Sequence, residues 1–392
     1  MSQAHLTVYG ASWCTDCRRS KKFLGEQRIH YHWVDIEQDA EAQALVERLN
    51  DGKRIIPTIL FEDGSILVEP TNAELAAKLG LPTEAKMSYY DLIVVGGGPA
   101  GLTAALYAAR EGIETLVIEQ SGLGGQAAVT ERLDNFPGFP EGVSGAEFAD
   151  RLTEQARRFG VELLQAQAVT GLRAEDESRY VATADGREYG ARAVLIASGS
   201  QYKRLGARGE EDFIGAGVHF CATCDGPFYK GAPVAVIGGG NSAVEESIFL
   251  ARFASGVTIL VRGDDVSASK LATDKAREEP RIAVRPHTEV VEFRGDGKLT
   301  GVLVRDRETG AEEEIHPAGV FVFIGLKPNS EWLPQEIARD AEGFVTTSAT
   351  LETSVPGIFA AGDVRAGSTK QAASAAGEGA TAALMIRGYL RA

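Results

Sequence analysis

Two segments of this chain repeat one pattern: an apolar strand, a run of three glycines, then an alanine-bearing helix. The first is Leu92–Val95 followed by Gly96-Gly97-Gly98-Pro99-Ala100-Gly101, and the second is Val234–Ile237 followed by Gly238-Gly239-Gly240-Asn241-Ser242-Ala243. Glycines at this spacing allow a tight turn, let backbone N–H groups approach a pyrophosphate at the helix N-terminus, and let the helix pack closely on the strand. From residue 91 onward strands and helices alternate, which calls for parallel-sheet α/β domains. Glycine is abundant, 45 of 392 residues, against a typical ~7%. It clusters after apolar segments and not in a linker, so the excess belongs to the folded units.

The second strand of each unit separates the two. Thr115–Ile118 ends at Glu119, an acid able to accept from a ribose hydroxyl. Val257–Val261 ends at Arg262, which suits a ribose 2′-phosphate and favours NADPH over NADH. Two such folds in one chain suggest one flavin and one nicotinamide coenzyme.

All four cysteines lie in two C-x-x-C pairs, Cys14/Cys17 and Cys221/Cys224. A zinc ribbon wants its pairs roughly 15–20 residues apart, so a split zinc site is the weaker reading and redox pairs the stronger. Residues 1–81 read as β-α-β-α-β-β-α. Strands are expected at 6–9, 32–35, 55–61 and 66–68, and helices at 18–26, 40–49 and 72–79. Cys14 precedes a helix beside Arg18 and Arg19, which favours its thiolate, so Cys14 is the expected nucleophile and Cys17 the resolving thiol.

On the residues Trp13-Cys14-Thr15-Asp16-Cys17-Arg18-Arg19 and Ile56-Pro57-Thr58, this segment resembles the glutaredoxin family, especially its mycoredoxin branch. The resemblance implies a cis-proline at Pro57. Thr15-Asp16 stands where ordinary glutaredoxins carry Pro-Tyr or Pro-Phe, and their Gly-Gly-x-x-Asp motif is absent, which argues against glutathione as substrate. His30 and His32 alternate along a strand with Tyr31 and Trp33, and no metal is expected there.

The stretch His219-Phe220-Cys221-Ala222-Thr223-Cys224-Asp225-Gly226, with the two glycine runs, resembles low-molecular-weight thioredoxin reductase over residues 89–392. Segments similar to that family's FAD-contacting motifs include Gly124-Gly125-Gln126, Asn135-Phe136-Pro137-Gly138, Gly362-Asp363 and Lys370-Gln371-Ala372. The resemblance implies Cys224 near the flavin, Cys221 attacking the incoming disulfide and Asp225 as acid/base. A carboxyl beside a thiol pair can deliver or remove the proton that disulfide exchange requires. His219 reads as structural. One departure stands out: the family's His-Arg-Arg, with a further arginine four residues on, is here Val261-Arg262-Gly263, with Ser267 at the last place.

The expected fold is α/β: a thioredoxin-like domain followed by two Rossmann-like dinucleotide-binding domains, for FAD and NADPH, the second inserted in the first. Expected boundaries are 1–81 for the redoxin, 82–88 for a linker, 89–203 and 326–392 for the FAD domain, and 204–325 for the NADPH domain with its redox disulfide. Met87-Ser88-Tyr89 looks like the start of a free-standing protein, which suggests a fusion junction. The net charge of −15 argues against a nucleic-acid partner. No apolar run is long enough to span a membrane, and the start shows no secretory pattern, so the cytoplasm is expected. The expected activity is NADPH-dependent reduction of a protein or low-molecular-weight disulfide by a homodimer. Alternatives are a dithiol oxidase, a peroxide-reductase flavoprotein and a redox-sensing scaffold that does not turn over.

Overall fold

The structure is a computed structural model describing residues 6–391 apart from 12, 28, 129, 131 and 134; of the side chains of Lys22, Glu26, Thr223 and Cys224 nothing is described. The backbone divides into two compact units. One comprises Met1–Val129, Val143–Gly199 and Pro328–Ala392, and the other Thr130–Gly142 and Ser200–Lys327. Residues 200–327 thus interrupt the first unit in sequence; Thr130–Gly142, expected in the FAD domain, clusters with them, and the redoxin segment clusters with the first unit.

Within the first unit, the redoxin segment forms a four-stranded sheet in the order Tyr31–Asp35, Leu6–Gly10, Thr58–Phe61, Ile66–Val68. Only the first pair is parallel. Helices Thr15–Glu26, Ala40–Leu49 and Asn72–Lys78 cover it, and Leu6, Val8, Phe23, Leu24, Ile59 and Leu75 fill its core. Two element starts differ from expectation by three residues, and the other bounds by one at most. The first helix starts three residues earlier, because the Cys14 thiol caps it by accepting the Cys17 N–H at 3.1 Å. The third strand starts at Thr58 and not Ile55, since Pro57 has no N–H to give to a ladder.

The FAD-type sheet runs Glu162–Leu164, Thr115–Ile118, Tyr89–Val95, Glu188–Ile196, Ser178–Thr183, Val169–Glu175, with Ile358–Ala360 also paired to Glu188–Ile196. Its strand Tyr89–Val95 is buried on both faces. Leu92 and Val94 enter one core with Leu102 and Val117, while Ile93 and Val95 enter another with Leu116 and Val194. Burial on both faces is why this strand reads as an unbroken apolar run.

The segment joining redoxin and sheet lies along the first unit, pinned by hydrogen bonds. Pro82 O accepts from Gln165 N (3.1 Å), Thr83 O from Gln167 Nε2 (3.3 Å), and Lys86 N donates to Glu162 Oε1 (2.7 Å). Ala166 packs against the redoxin core, and Gln27 Nε2 donates to Ser121 O at 2.7 Å. A seven-residue segment held this way is not a free tether.

The second unit is a parallel sheet ordered Val218–His219, Gly319–Val322, Pro233–Ile237, Gly256–Leu260, Ile282–Arg285. A three-stranded antiparallel sheet, Thr288–Asp296, Lys298–Asp306 and Glu312–Ile315, accompanies it. Among the described residues no helix is long and apolar enough to cross a membrane.

Candidate active site

The redoxin thiols occupy different environments. Both are free. Cys14 is the helix N-cap, and its Sγ lies 3.7 Å from Ile56 O. The Ile56–Pro57 peptide beside it is cis, as the glutaredoxin resemblance implies. Cys17 is fully buried behind it. Burial, followed by the hydrogen bond with Cys14, pushes the Cys17 thiol up to about 12. At neutral pH Cys17 is therefore a protonated thiol, whereas Cys14 receives a backbone N–H at the positive end of a helix. Trp13 stands exposed beside the pair.

In the first unit the Gly96–Gly98 turn leads into helix Pro99–Arg110. Gly96 has φ +109°, and a Cβ there would lie 2.3 Å from Ala197 O; a Cβ at Gly101 would lie 1.9 Å from Gly96 O. No side chain other than hydrogen can stand at either place. Gly98 caps the helix without a side-chain bond and Pro99 follows, so the helix N-terminus is open to an anion. A second loop closes on it, with Gly124 N donating to Gly97 O at 2.8 Å and Gly125 facing Gly98. Gln126 lies on the same short helix, Gly125–Ala128. Glu119 is buried; its Oε2 accepts from Gly97 N (2.7 Å) and its Oε1 from Ser121 N (2.8 Å). Burial raises the Glu119 pKa, against the pull of these N–H groups.

Gly362 meets the same helix: its φ is +77°, and a Cβ there would lie 2.9 Å from the Ala100 Cβ. Beside it, Asp363 Oδ1 is buried with no hydrogen-bond partner among the described residues. Burial raises the Asp363 pKa and lowers that of Lys370, whose Nζ donates to Asp363 O at 2.6 Å. Gln371 and Ala372 follow at the start of helix Ala372–Arg391. Asn135 falls on the segment Thr130–Gly142, which clusters with the second unit, so the first unit does not contain it.

In the second unit Gly238 has φ +137° and stands against Phe323 O, while Gly240 caps helix Asn241–Leu250 with open space where a Cβ would project. Ser242 is exposed at the helix start and Ala243 is buried against the strand. Asn241 Oδ1 accepts from Ser269 N at 2.6 Å. Arg262 is exposed, with its carbonyl held by Arg307 Nη1 at 2.9 Å. Ser267, at the place of the family's third arginine, donates its N–H to Gly239 O at 2.7 Å. Of the family's three arginine places, only that of Arg262 carries a cation here.

Cys221 is disulfide-bonded. Helix Ala222–Asp225 follows, with Asp225 N donating to Cys221 O at 3.1 Å, and the backbone turns at Gly226, where a Cβ would press on Leu250. The Cys224 side chain lies outside the described residues. Asp225 Oδ2 stands 3.3 Å from His219 Nδ1, and His219 Nε2 lies 2.6 Å from Tyr229 Oη. Sequence reasoning missed Tyr229, and no spacing rule would have found it. Among the described residues no cluster of His, Cys, Asp or Glu is placed to hold a metal ion.

Residues 90–379 match the family model for pyridine nucleotide-disulphide oxidoreductases. The chain belongs to that family. Residues 6–66 match the glutaredoxin family. The thioredoxin reductase of Treponema pallidum is 41% identical over 301 residues, covering 77% of this chain and 97% of that protein. A bifunctional thioredoxin reductase/thioredoxin of Mycobacterium leprae is 42% identical over 302 residues, covering 77% of this chain and 66% of that one. The crystal structure of thioredoxin reductase from Streptococcus pyogenes superposes with a TM-score of 0.74 at 38% identity, covering 78% of this chain and 99% of the other. The enzyme is a flavin-type disulfide reductase of the thioredoxin reductase kind with a glutaredoxin domain fused at its N-terminal side.

Proposed function

We propose that the reductase passes electrons from NADPH by way of FAD to the Cys221/Cys224 disulfide, then to Cys14/Cys17, and finally to a protein or small-molecule disulfide. The observation that carries this reading is the presence, in one chain, of a disulfide-bonded Cys221 shortly before Asp225 in sequence and of a free dithiol in which Cys14 caps a helix while burial keeps the Cys17 thiol protonated. The first unit fits FAD: an uncapped helix N-terminus at Gly98 for the pyrophosphate, Glu119 for a ribose, and the orphaned Asp363 Oδ1 for a hydroxyl-bearing chain. Gly96, Gly101, Gly125, Gln126, Gly362, Lys370, Gln371 and Ala372 complete that cradle. FAD bound there supplies two-electron transfer between nicotinamide and disulfide. Gly238, Gly240, Asn241, Ser242, Ala243 and Arg262 hold NADPH.

Cys221, as a thiolate, attacks Cys14 of the oxidised redoxin, and Cys17 leaves and takes up a proton. Cys224 then attacks Cys221, releasing Cys14 as the thiolate that reduces the final acceptor. Asp225 carries the proton between the departing and arriving sulfurs. The acceptor is a disulfide other than glutathione. The absence of a Gly-Gly-x-x-Asp motif after the redoxin hairpin supports this. Homodimer assembly and a cytoplasmic setting accord with this chemistry.

Anaerobic titration tests the scheme. The purified protein is expected to be yellow, and its flavin absorbance to bleach with NADPH more readily than with NADH. A colourless protein that gains no flavin bands on adding FAD overturns the reading.

A further inference from the structure

His219 sits at the end of the short strand Val218–His219, buried between the rings of Tyr229 and Phe321, each 5.3 Å away. Its Nδ1 faces Asp225 Oδ2 at 3.3 Å and its Nε2 faces Tyr229 Oη at 2.6 Å. The phenol ring lies over Gly319, where a Cβ would come within 2.4 Å of it. Gly319 and Phe321 belong to one strand, which pairs His219 with Phe321. The imidazole therefore has an apolar wall on its strand side, and among the described residues the titratable groups facing it are Asp225 and Tyr229. A buried histidine with one ring nitrogen at hydrogen-bond distance from a phenol and the other facing the carboxylate of Asp225, the residue that follows the redox pair in sequence, is placed for more than packing.

We propose that His219 is a positioning residue that orients Asp225 and replenishes its proton, with Tyr229 behind it as the link to solvent. This rests on the acid/base role of Asp225 proposed above. Reduction of the Cys221 disulfide takes two electrons and one proton, breaks the S–S bond and leaves one thiol and one thiolate. Asp225 gives that proton, His219 returns one from Nδ1, and Tyr229 passes one to Nε2 while regaining its own from water. When the thiolate attacks an acceptor disulfide, Asp225 gives its proton to the acceptor's leaving sulfur, and the carboxylate then takes the proton of the remaining thiol. The balance closes with one thiol and one thiolate on the acceptor.

The experiment is the pH profile of kcat for NADPH-dependent reduction of insulin disulfides by the FAD-loaded full chain. Its variants are His219→Asn, His219→Gln, Tyr229→Phe and Asp225→Asn, with flavin absorbance confirming that each is folded. Asparagine keeps a donor where Nδ1 stood, and glutamine keeps a polar group where Nε2 stood, but neither titrates. The expected result is an unchanged KM, a kcat lowered about 10- to 100-fold in both His219 variants, within the range for one acid–base group, and loss of one limb of the wild-type pH profile. Tyr229→Phe is expected to lower kcat less and to change the solvent deuterium isotope effect. Wild-type kcat and pH profile in His219→Asn and His219→Gln, with Asp225→Asn inactive, overturn the inference alone. Wild-type activity in Asp225→Asn overturns the reading beneath it.

Discussion

Replacing Gly240 with alanine separates folding from coenzyme binding. Gly240 has φ −79° and ψ −179°, an extended conformation open to any residue, and nothing lies within 4 Å of where its Cβ would stand. The cost to the fold is that of a poorer helix cap, about 1 kcal/mol or less. The new methyl projects where the pyrophosphate must approach the helix, and losing one charge-assisted backbone contact costs roughly 1.5–3 kcal/mol, or about 10- to 150-fold in affinity. Gly238→Ala is the contrast. Its φ of +137° and a Cβ 2.3 Å from Phe323 O make it a folding defect. For Gly240→Ala, KM for NADPH is expected to rise at least ~10-fold, with FAD content and melting temperature near wild type. An unchanged KM refutes the assignment of this helix N-terminus to the coenzyme.

Arg262→Ala is expected to raise KM for NADPH about 10-fold, the low end for a charged contact, and to leave that for NADH nearly alone; steady-state kinetics with both coenzymes check it. Iodoacetamide is expected to label reduced Cys14 at pH 8 and to spare Cys17. Burial favours the neutral Cys17 thiol, so its stabilising effect is full below the unfolded value of 9.0 and lost as pH rises through about 12; labelling and melting followed across that window should show both. Glu162→Ala removes the acceptor of Lys86 N and of Tyr90 Oη, so limited proteolysis near residues 82–88 should speed up several-fold.

The glycine runs were legible because backbone chemistry fixes them: Gly96, Gly101 and Gly238 stand where a Cβ would strike a carbonyl. Strands buried on both faces announced themselves as apolar runs, and Thr115–Ile118 coincides with expectation. What escaped the sequence were contacts made by single side chains over long separations. Gln27 reaches Ser121 across 94 positions, and Gln165 and Gln167 hold the segment after residue 81 by backbone and amide groups that carry no pattern. A polar, proline-marked stretch such as Pro82–Lys86 reads as a flexible linker because composition says nothing of its hydrogen-bond partners. His219 read as structural for the same reason, since neither Tyr229 nor the orientation of Asp225 is written in spacing.

The central claim is that electrons leave through Cys14, and the most direct measurement is NADPH-dependent reduction of insulin disulfides by Cys14→Ser. The account predicts that NADPH still reduces the flavin and the Cys221 disulfide, that insulin reduction collapses, and that Cys17→Ser instead traps a mixed disulfide at Cys14. Wild-type insulin reduction by Cys14→Ser would contradict it, leaving the reductase core to act directly and the fused domain off the electron path.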